Sequence, residues 1–180
     1  EAYHNYKLSK ATEWVADYKW PIYFMLAVSF WNFLGAGIFG FIINPPIALY
    51  YVQGLNTTPL HGHTALFGVY GMLGIGLMLF VLRSLYRNTL WNNKLLKITF
   101  WSLNLGLLLM ALMSLLPIGI WQAIASIEHG MWYARSAELM QDPTMITLKW
   151  MRTFGDVLFA IGIVSFAWFV FQLTLRKGKG

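Results

Sequence analysis

Four long apolar segments constrain the fold of this chain more than any other feature of its sequence. They run from about Trp20 to Ile43, Pro59 to Tyr86, Leu95 to Trp121 and Met145 to Leu175. Because an α-helix rises about 1.5 Å per residue, each segment is long enough to cross the ~30 Å hydrocarbon core of a bilayer. The sequence predicts an all-α polytopic membrane protein with four transmembrane helices.

The composition agrees with this class. Hydrophobic residues make up 58% of the 180 residues and charged residues only 11%, whereas soluble domains carry about 25% charged residues. Nine Trp suit aromatic belts at the bilayer surfaces, and the lack of Cys excludes disulfides and thiolate metal sites. The net charge of +6 comes from basic residues that flank apolar segments, so we predict a lipid bilayer and no nucleic acid as partner.

The chain divides into a short polar part and a membrane part. Residues 1–19 carry both signs of charge and predict a cytoplasmic amphipathic lead-in, whereas residues 20–180 form the four-helix part. No cleavable signal pattern is present, and the first residue is Glu1 rather than Met, which indicates a fragment or a processed product. Residues 47–58 predict an uncharged interfacial connection, and residues 122–144 predict the longest polar loop.

Basic residues predict the orientation in the membrane. Three groups share one side of the predicted bundle: Lys7, Lys10 and Lys19, then Arg83, Arg87, Lys94 and Lys97, then Arg176, Lys177 and Lys179. Because cytoplasmic segments carry an excess of Lys and Arg, both termini are predicted to be cytoplasmic. The start of the second helix then lies near the outer face.

Two histidines mark the start of this second helix. Residues two positions apart on an α-helix point about 200° apart, so His61 and His63 leave opposite faces. They cannot chelate one ion as an i, i+4 pair does, but they can ligate two cofactors, and Gly62 obstructs neither approach. Flat apolar haems, each taking one axial imidazole, fit this geometry. The alternative is that the imidazoles hold helices together by hydrogen bonds.

Two further ionisable residues are candidate site residues. Asp156 lies inside the fourth predicted helix, where its carboxyl group can take part in proton transfer or contact a quinol. The alternative is that it pairs with Arg152, one turn earlier. Arg135 in the polar loop can bind haem propionates or can pair with its near neighbour Glu138.

Several tracts resemble the catalytic subunit of bacterial nitric oxide reductases, which belong to the haem-copper oxidase superfamily. They are Trp20-Pro21-Ile22-Tyr23, the run from Phe30 to Gly37, Leu60-His61-Gly62-His63 and the run from Phe67 to Met72. The tracts Ala48–Pro59 and His129–Ser136 are most similar to the single-chain, quinol-oxidising branch. The resemblance covers essentially the whole chain from Trp20 onward.

The resemblance implies both a fold and an activity. The four helices would be the last four of the family's catalytic core, with His61 as the proximal ligand of the high-spin haem b3 and His63 as an axial ligand of the low-spin haem b. Asp156 matches an acidic residue at the quinol site of the quinol-dependent branch. Electrons from quinol would reduce two NO molecules to N2O and water, as in denitrification, at haem b3 and a neighbouring non-haem iron. Calcium is a further ion that the resemblance allows.

This sequence is much shorter than the family's catalytic core. The second ligand of haem b and the His and Glu ligands of the non-haem iron belong to earlier helices that it lacks. His4 and His129 lie outside the predicted helices, are expected to be solvated and cannot replace that set. We therefore expect this polypeptide alone to be inactive and to assemble with the remaining N-terminal helices, in an assembly that can be a homodimer.

Three other functions stay open on the sequence. One is the corresponding part of a cytochrome c-dependent nitric oxide reductase or of another haem-copper oxidase. The second is a haem b electron-transfer module without chemistry of its own. The third is a structural four-helix membrane protein whose histidines join helices.

Overall fold

The computed structural model describes residues 13–87 and 89–177, and every secondary-structure element of that part is helical, which confirms the predicted all-α class. The α-helices are Glu13–Asp17, Lys19–Trp31, Gly40–Ile43, Pro46–Val52, Thr57–Ala65, Met72–Leu85, Asn93–Met110, Leu116–His129, Ala137–Met140 and Pro143–Lys177. The stretches Asn32–Phe39, Leu66–Gly71 and Ala111–Leu115 are π-helical, and Tyr133–Arg135 is a 3₁₀ turn.

Contiguous helices join into four membrane-length spans, the number that the sequence predicts. Span 1 is Lys19–Ile43, span 2 is Thr57–Leu85, span 3 is Asn93–His129 and span 4 is Pro143–Leu175. The connection between spans 1 and 2 contains the separate short helix Pro46–Val52, which begins with its proline in the first turn.

Span 3 is longer than predicted. The sequence predicts its end near Trp121, but the helix continues to His129. Pro117 does not stop it, because it lies in the first turn of the α-helical segment that follows a π-helical stretch, where a missing N–H is tolerated. The added turns bury Gln122 and Ser126, so polar residues that predicted a loop line a helix-packing face instead.

Glycines bring the spans into backbone contact. A Cβ on Gly35 of span 1 would lie 2.7 Å from Thr64 of span 2. A Cβ on Gly106 of span 3 would lie 2.9 Å from the carbonyl oxygen of Gly155 in span 4. Because these distances are shorter than van der Waals contact, any larger residue would push the helices apart.

Successive spans run in opposite directions, which gives the bundle two ends. At one end the indole of Trp20 donates to Asn93 at 2.7 Å, and the amide of Asn92 donates to Gln172 at 3.3 Å. The start of span 1, the turn before span 3 and the end of span 4 therefore lie together, and we call this the basic end. The connections between spans 1 and 2 and between spans 3 and 4 meet at the other end, which we call the loop end.

Apolar side chains fill the interior and cover the outside. The largest buried cluster draws on all four spans: Trp20, Phe24, Ala27, Trp31, Met72, Leu79, Leu96, Leu103, Leu107, Phe169 and Leu173. Spans 1 and 2 also expose large apolar residues, among them Leu26, Phe30, Phe33, Phe41, Leu66 and Tyr70. Exposed apolar surface of this extent fits contact with lipid or with further helices.

Candidate functional site

The two histidines of span 2 lie in its first turns, near the loop end. Both residues are half-buried. A Cβ added to Gly62 between them would meet no described atom within 4 Å. Space is therefore open beside the backbone that links the two imidazoles.

His61 contacts span 1. Its Nδ1 lies 2.9 Å from the carbonyl oxygen of Gly35, and a Cβ on Gly40 would lie 3.0 Å from its ring. Gly35 belongs to the π-helical stretch Asn32–Phe39, and such stretches occur frequently at functional sites. Gly40 thus leaves room for this imidazole, and Gly35 supplies the carbonyl oxygen that it contacts.

His63 contacts its own helix and span 4. Its Nδ1 lies 2.8 Å from the carbonyl oxygen of Pro59, one turn earlier. Its Nε2 lies 3.0 Å from Nη2 of Arg152, whose Nε donates to Oδ1 of Asp156 at 3.2 Å. The ring centre of Phe67 lies 5.6 Å from that of His63. Charged and aromatic groups therefore surround this imidazole.

The hydrogen bonds indicate the same tautomer in both rings. A carbonyl oxygen only accepts, so Nδ1 of His61 and of His63 carries the proton and donates it. Nε2 then keeps a lone pair, which agrees with the contact to the guanidinium of Arg152, a group that only donates. Metal-bound histidines commonly donate their other N–H to a backbone carbonyl in this way. In both rings Nε2 is therefore the nitrogen with a lone pair, and at His63 this nitrogen contacts Arg152.

The rings face different neighbours, as the i, i+2 spacing predicts. His61 lies against span 1, and His63 lies against span 4. Within the described part of the chain no side chain hydrogen-bonds Nε2 of His61, whereas Arg152 holds Nε2 of His63. Arg152 would have to turn away from His63 before a metal could bind Nε2 of that ring. Ligation of haem iron by the two histidines remains a prediction.

Asp156 pairs with Arg152, which is one of its two predicted roles. Its side chain is 46% exposed, and the pair joins residues one turn apart on span 4. Helix pairs with this spacing contribute only about 0.3–0.5 kcal/mol when exposed, so the carboxylate can exchange partners at low cost. Its contact with a quinol remains a prediction.

Arg135 contacts the first connection instead of Glu138. Its Nη2 donates to the carbonyl oxygen of Gln53, and it lines a cleft of about 780 Å³ at the loop end. The predicted pairing with Glu138 is wrong, because the 3₁₀ turn Tyr133–Arg135 brings the guanidinium to the connection between spans 1 and 2, while Glu138 belongs to the next helix. Binding of haem propionates by Arg135 remains a prediction.

The other two histidines lie apart from this arrangement or outside the described residues. His129 is the last residue of span 3 rather than a loop residue, and its side chain is 59% exposed, which agrees with its predicted solvation. His4 lies outside the described residues, as does most of the predicted lead-in.

Sequence reasoning missed three hydrogen-bond partners of the histidines, which are the carbonyls of Gly35 and Pro59 and the guanidinium of Arg152. The contact with the carbonyl of Gly35 could not be predicted from the sequence, because every residue has a carbonyl. Only the packing of spans 1 and 2 determines which carbonyl His61 meets. Arg152 did leave a signal, since a charge inside an apolar span needs a partner. The sequence predicted Asp156 as that partner, and His63 is a second one.

Comparison with known proteins identifies the family. The model of the cytochrome c and quinol oxidase polypeptide I family matches residues 8–158, which is more than half of the chain. This chain belongs to that family of membrane proteins. A nitric oxide reductase subunit of Stutzerimonas stutzeri is 26% identical over 148 residues, which cover 74% of this chain and 29% of that protein. The chain thus spans less than a third of the length of this relative.

Proposed function

We propose that this chain is the part of a membrane nitric oxide reductase that supplies one axial imidazole to each of two haems. In this proposal His61 binds the high-spin haem b3 and His63 binds the low-spin haem b. The observation that carries it is that Nδ1 of each ring pairs with a backbone carbonyl oxygen and that the two rings face different helices. Nε2 is then the nitrogen through which each ring would bind iron, with Arg152 displaced from His63.

Two comparisons support the proposal. The chain belongs to the cytochrome c and quinol oxidase polypeptide I family, and its relative from Stutzerimonas stutzeri is a nitric oxide reductase subunit. Because that relative is much longer, we assign the second ligand of haem b and the ligands of the non-haem iron to helices outside this chain. The exposed apolar faces of spans 1 and 2 offer these helices a surface.

The residues of this chain orient the ligands. Haem, when bound, supplies the iron that carries electrons and binds NO. The carbonyl of Gly35 fixes the ring plane and tautomer of His61, and the carbonyl of Pro59 does the same for His63. A hydrogen bond at Nδ1 also raises the basicity of Nε2. Because Gly62 alone separates the two histidines, one turn of helix holds both ligands at a fixed separation.

We assign quinol as the electron donor and Asp156 as the acceptor of its proton. Quinol releases two electrons and two protons, and two NO molecules consume the same number to give N2O and water, so the reactions balance. Asp156 suits this role because its partner Arg152 also contacts His63, which places the carboxylate one side chain away from the proposed ligand of haem b.

The second candidate is the corresponding part of a reductase with a separate electron-donor chain. The name of the relative from Stutzerimonas stutzeri describes one subunit of a nitric oxide reductase, which favours an enzyme of several chains. A polypeptide with covalent haem that copurifies with this chain would select this candidate. Quinol oxidation by a preparation without such a polypeptide would select the quinol-dependent enzyme.

We also propose a bacterial cell membrane as the location, with the basic end in the cytoplasm. Lys19, Arg83 and Arg87 lie at that end, and cytoplasmic segments carry an excess of such residues. The two histidines then lie near the outer face. A fluorescent protein fused after Gly180 should fold and fluoresce, and an active periplasmic reporter at the same position would reverse the orientation.

The test of the proposed function is a haem count together with gas binding in the protein purified with all its polypeptides. We expect two b-type haems by pyridine haemochrome analysis, of which one binds carbon monoxide, because only an iron with an open sixth position binds the gas. Haem without a carbon monoxide difference spectrum would indicate an electron-transfer module. Absence of haem would indicate a structural helix bundle, and either result contradicts the proposal.

A further inference from the structure

A cleft of about 270 Å³ opens at the basic end of the bundle, which is the end opposite to the two histidines. It lies between the short helix Glu13–Asp17, the ends of spans 1 and 2 and the turn that leads into span 3. The residues that carry the argument are Asp17, Trp20, Arg83, Arg87 and Trp91.

Arg83 is held in a fixed position in this cleft. Its Nη2 is paired with Asp17, its Nη1 donates to the carbonyl oxygen of Thr89 at 3.3 Å, and its guanidinium lies 5.3 Å from the ring centre of Trp91. Its side chain is only 13% exposed. The one described carboxylate in the cleft is therefore already used, and the guanidinium cannot move without losing several contacts.

Two buried donors in the cleft lack an acceptor. Within the described part of the chain, Nε of Arg83 and Nε1 of Trp91 are the buried side-chain nitrogen atoms without a hydrogen-bond partner. A buried donor without a partner loses its hydrogen bonds to water and gains none, so native proteins rarely keep one without a reason. Both belong to residues that line the same cleft, so an acceptor that enters the cleft can pair with them if the packing of Arg83 against Trp91 opens.

The charge and depth of the cleft indicate what this acceptor is. Arg87 is exposed and forms no ion pair with a described carboxylate, so it adds an uncompensated positive charge beside Arg83. Trp20 is the second residue of span 1, and Arg83 lies in the last turn of span 2, so the cleft is at the level where the apolar spans end. In a bilayer this is the level of the phospholipid headgroups.

We propose that this cleft binds the phosphate of an anionic phospholipid. Phosphate oxygens accept hydrogen bonds from guanidinium and indole N–H groups, and the uncompensated charge of Arg87 favours an anionic over a zwitterionic headgroup. The acyl chains of such a lipid have a matching surface, because span 2 exposes Leu77, Phe80 and Val81 next to the cleft in the sequence. This site is independent of the haem proposal.

The test compares two lipids with the same acyl chains, phosphatidylglycerol and phosphatidylcholine, by native mass spectrometry of the detergent-purified protein with all its polypeptides. We expect phosphatidylglycerol to be retained about fivefold better, the factor that one basic residue near an anionic surface typically contributes. Arg87→Gln should bring the ratio close to one. Lys97→Gln removes the same charge at the same end outside the cleft and should leave the ratio unchanged.

A second variant tests the unpaired indole. Trp91→Phe keeps an aromatic ring over Arg83 but removes the buried N–H, and it should also weaken retention of phosphatidylglycerol. Equal retention of both lipids by the unmodified protein, or equal losses for Arg87→Gln and Lys97→Gln, would overturn the proposal. Displacement of phosphatidylglycerol by millimolar inorganic phosphate would also overturn it, because the site would then take free phosphate rather than a lipid.

Discussion

His61 and His63 are two residues apart and share one tautomer, yet their surroundings differ. Backbone and two glycines of span 1 surround His61, whereas the ion pair of Arg152 and Asp156 on span 4 meets His63. A backbone carbonyl orients each ring, but only at His63 does a charged side chain contact the nitrogen that is free to bind a metal.

The difference indicates two kinds of site on one helix. On the His61 side, close packing of spans 1 and 2 fixes the position of the imidazole. We therefore expect haem binding at His61 to depend on the size of the side chains between these spans. On the His63 side, the weak exposed ion pair of Arg152 and Asp156 can exchange partners. We therefore expect the properties of the haem at His63 to depend on these two charges. Five substitutions separate these dependences.

Removal of either imidazole should have the largest effect. His61→Ala should abolish turnover and the haem that binds carbon monoxide, while His63→Ala should remove the low-spin haem, because each loses its bond from this chain. Optical and electron paramagnetic resonance spectra of the purified variants check this. His129→Ala, at an exposed side chain, is the control and should keep both haems. Complete two-haem spectra in both variants would show that the ligand assignment is wrong.

A methyl group on Gly35 should damage the His61 side. Its Cβ would lie 2.7 Å from Thr64, so Gly35→Ala should lower the free energy of unfolding by about 1–3 kcal/mol and reduce haem b3 more than haem b. Gly74→Ala is the matched control, since a Cβ there meets nothing within 4 Å. Thermal unfolding and carbon monoxide binding measure the two effects. Equal behaviour of the two variants would contradict the importance of this contact.

Loss of the Asp156 carboxylate should slow quinol oxidation and leave the other steps of turnover unchanged. Asp156→Asn should reduce quinol-driven NO reduction by at least about tenfold, because the quinol loses its proton acceptor, and should leave turnover with an artificial electron donor nearly unchanged. Steady-state rates with both donors measure this. A similar loss with both donors would indicate structural damage rather than a role in quinol oxidation.

Removal of the guanidinium should have the smallest effect. Arg152→Gln should lower the midpoint potential of the low-spin haem by tens of millivolts, roughly the effect of one charge several ångströms away at an effective dielectric constant of about 20. The high-spin haem should change less. Lys149→Gln removes an equal charge one turn earlier on span 4 and is the control in the redox titration. Equal shifts of both haems would remove the distinction between the two sides.

The four spans and the divergence of the two histidines could be predicted from the sequence. Long apolar runs with few charges leave few structures except membrane helices, and the angle per residue of a helix fixes where neighbouring side chains leave it. The end of span 3 could not be predicted in this way. Gln122 and Ser126 are polar, and their inward packing depends on contacts with other elements.

The partners of the site residues were harder to predict than the residues themselves. Arg135 and Glu138 are near neighbours in the sequence, but a tight turn sends the guanidinium to a different connection. The contact of Arg152 with His63 joins spans 2 and 4. Such contacts depend on how helices cross, which composition and periodicity do not determine.

A high-resolution structure of the protein with all its polypeptides and cofactors tests the central claim most directly. We expect Nε2 of His61 and Nε2 of His63 to be bonded to the irons of two different haems on opposite sides of span 2, with Arg152 moved away from His63. A structure in which either imidazole lies away from haem iron, or in which both face one cofactor, would contradict the proposed function.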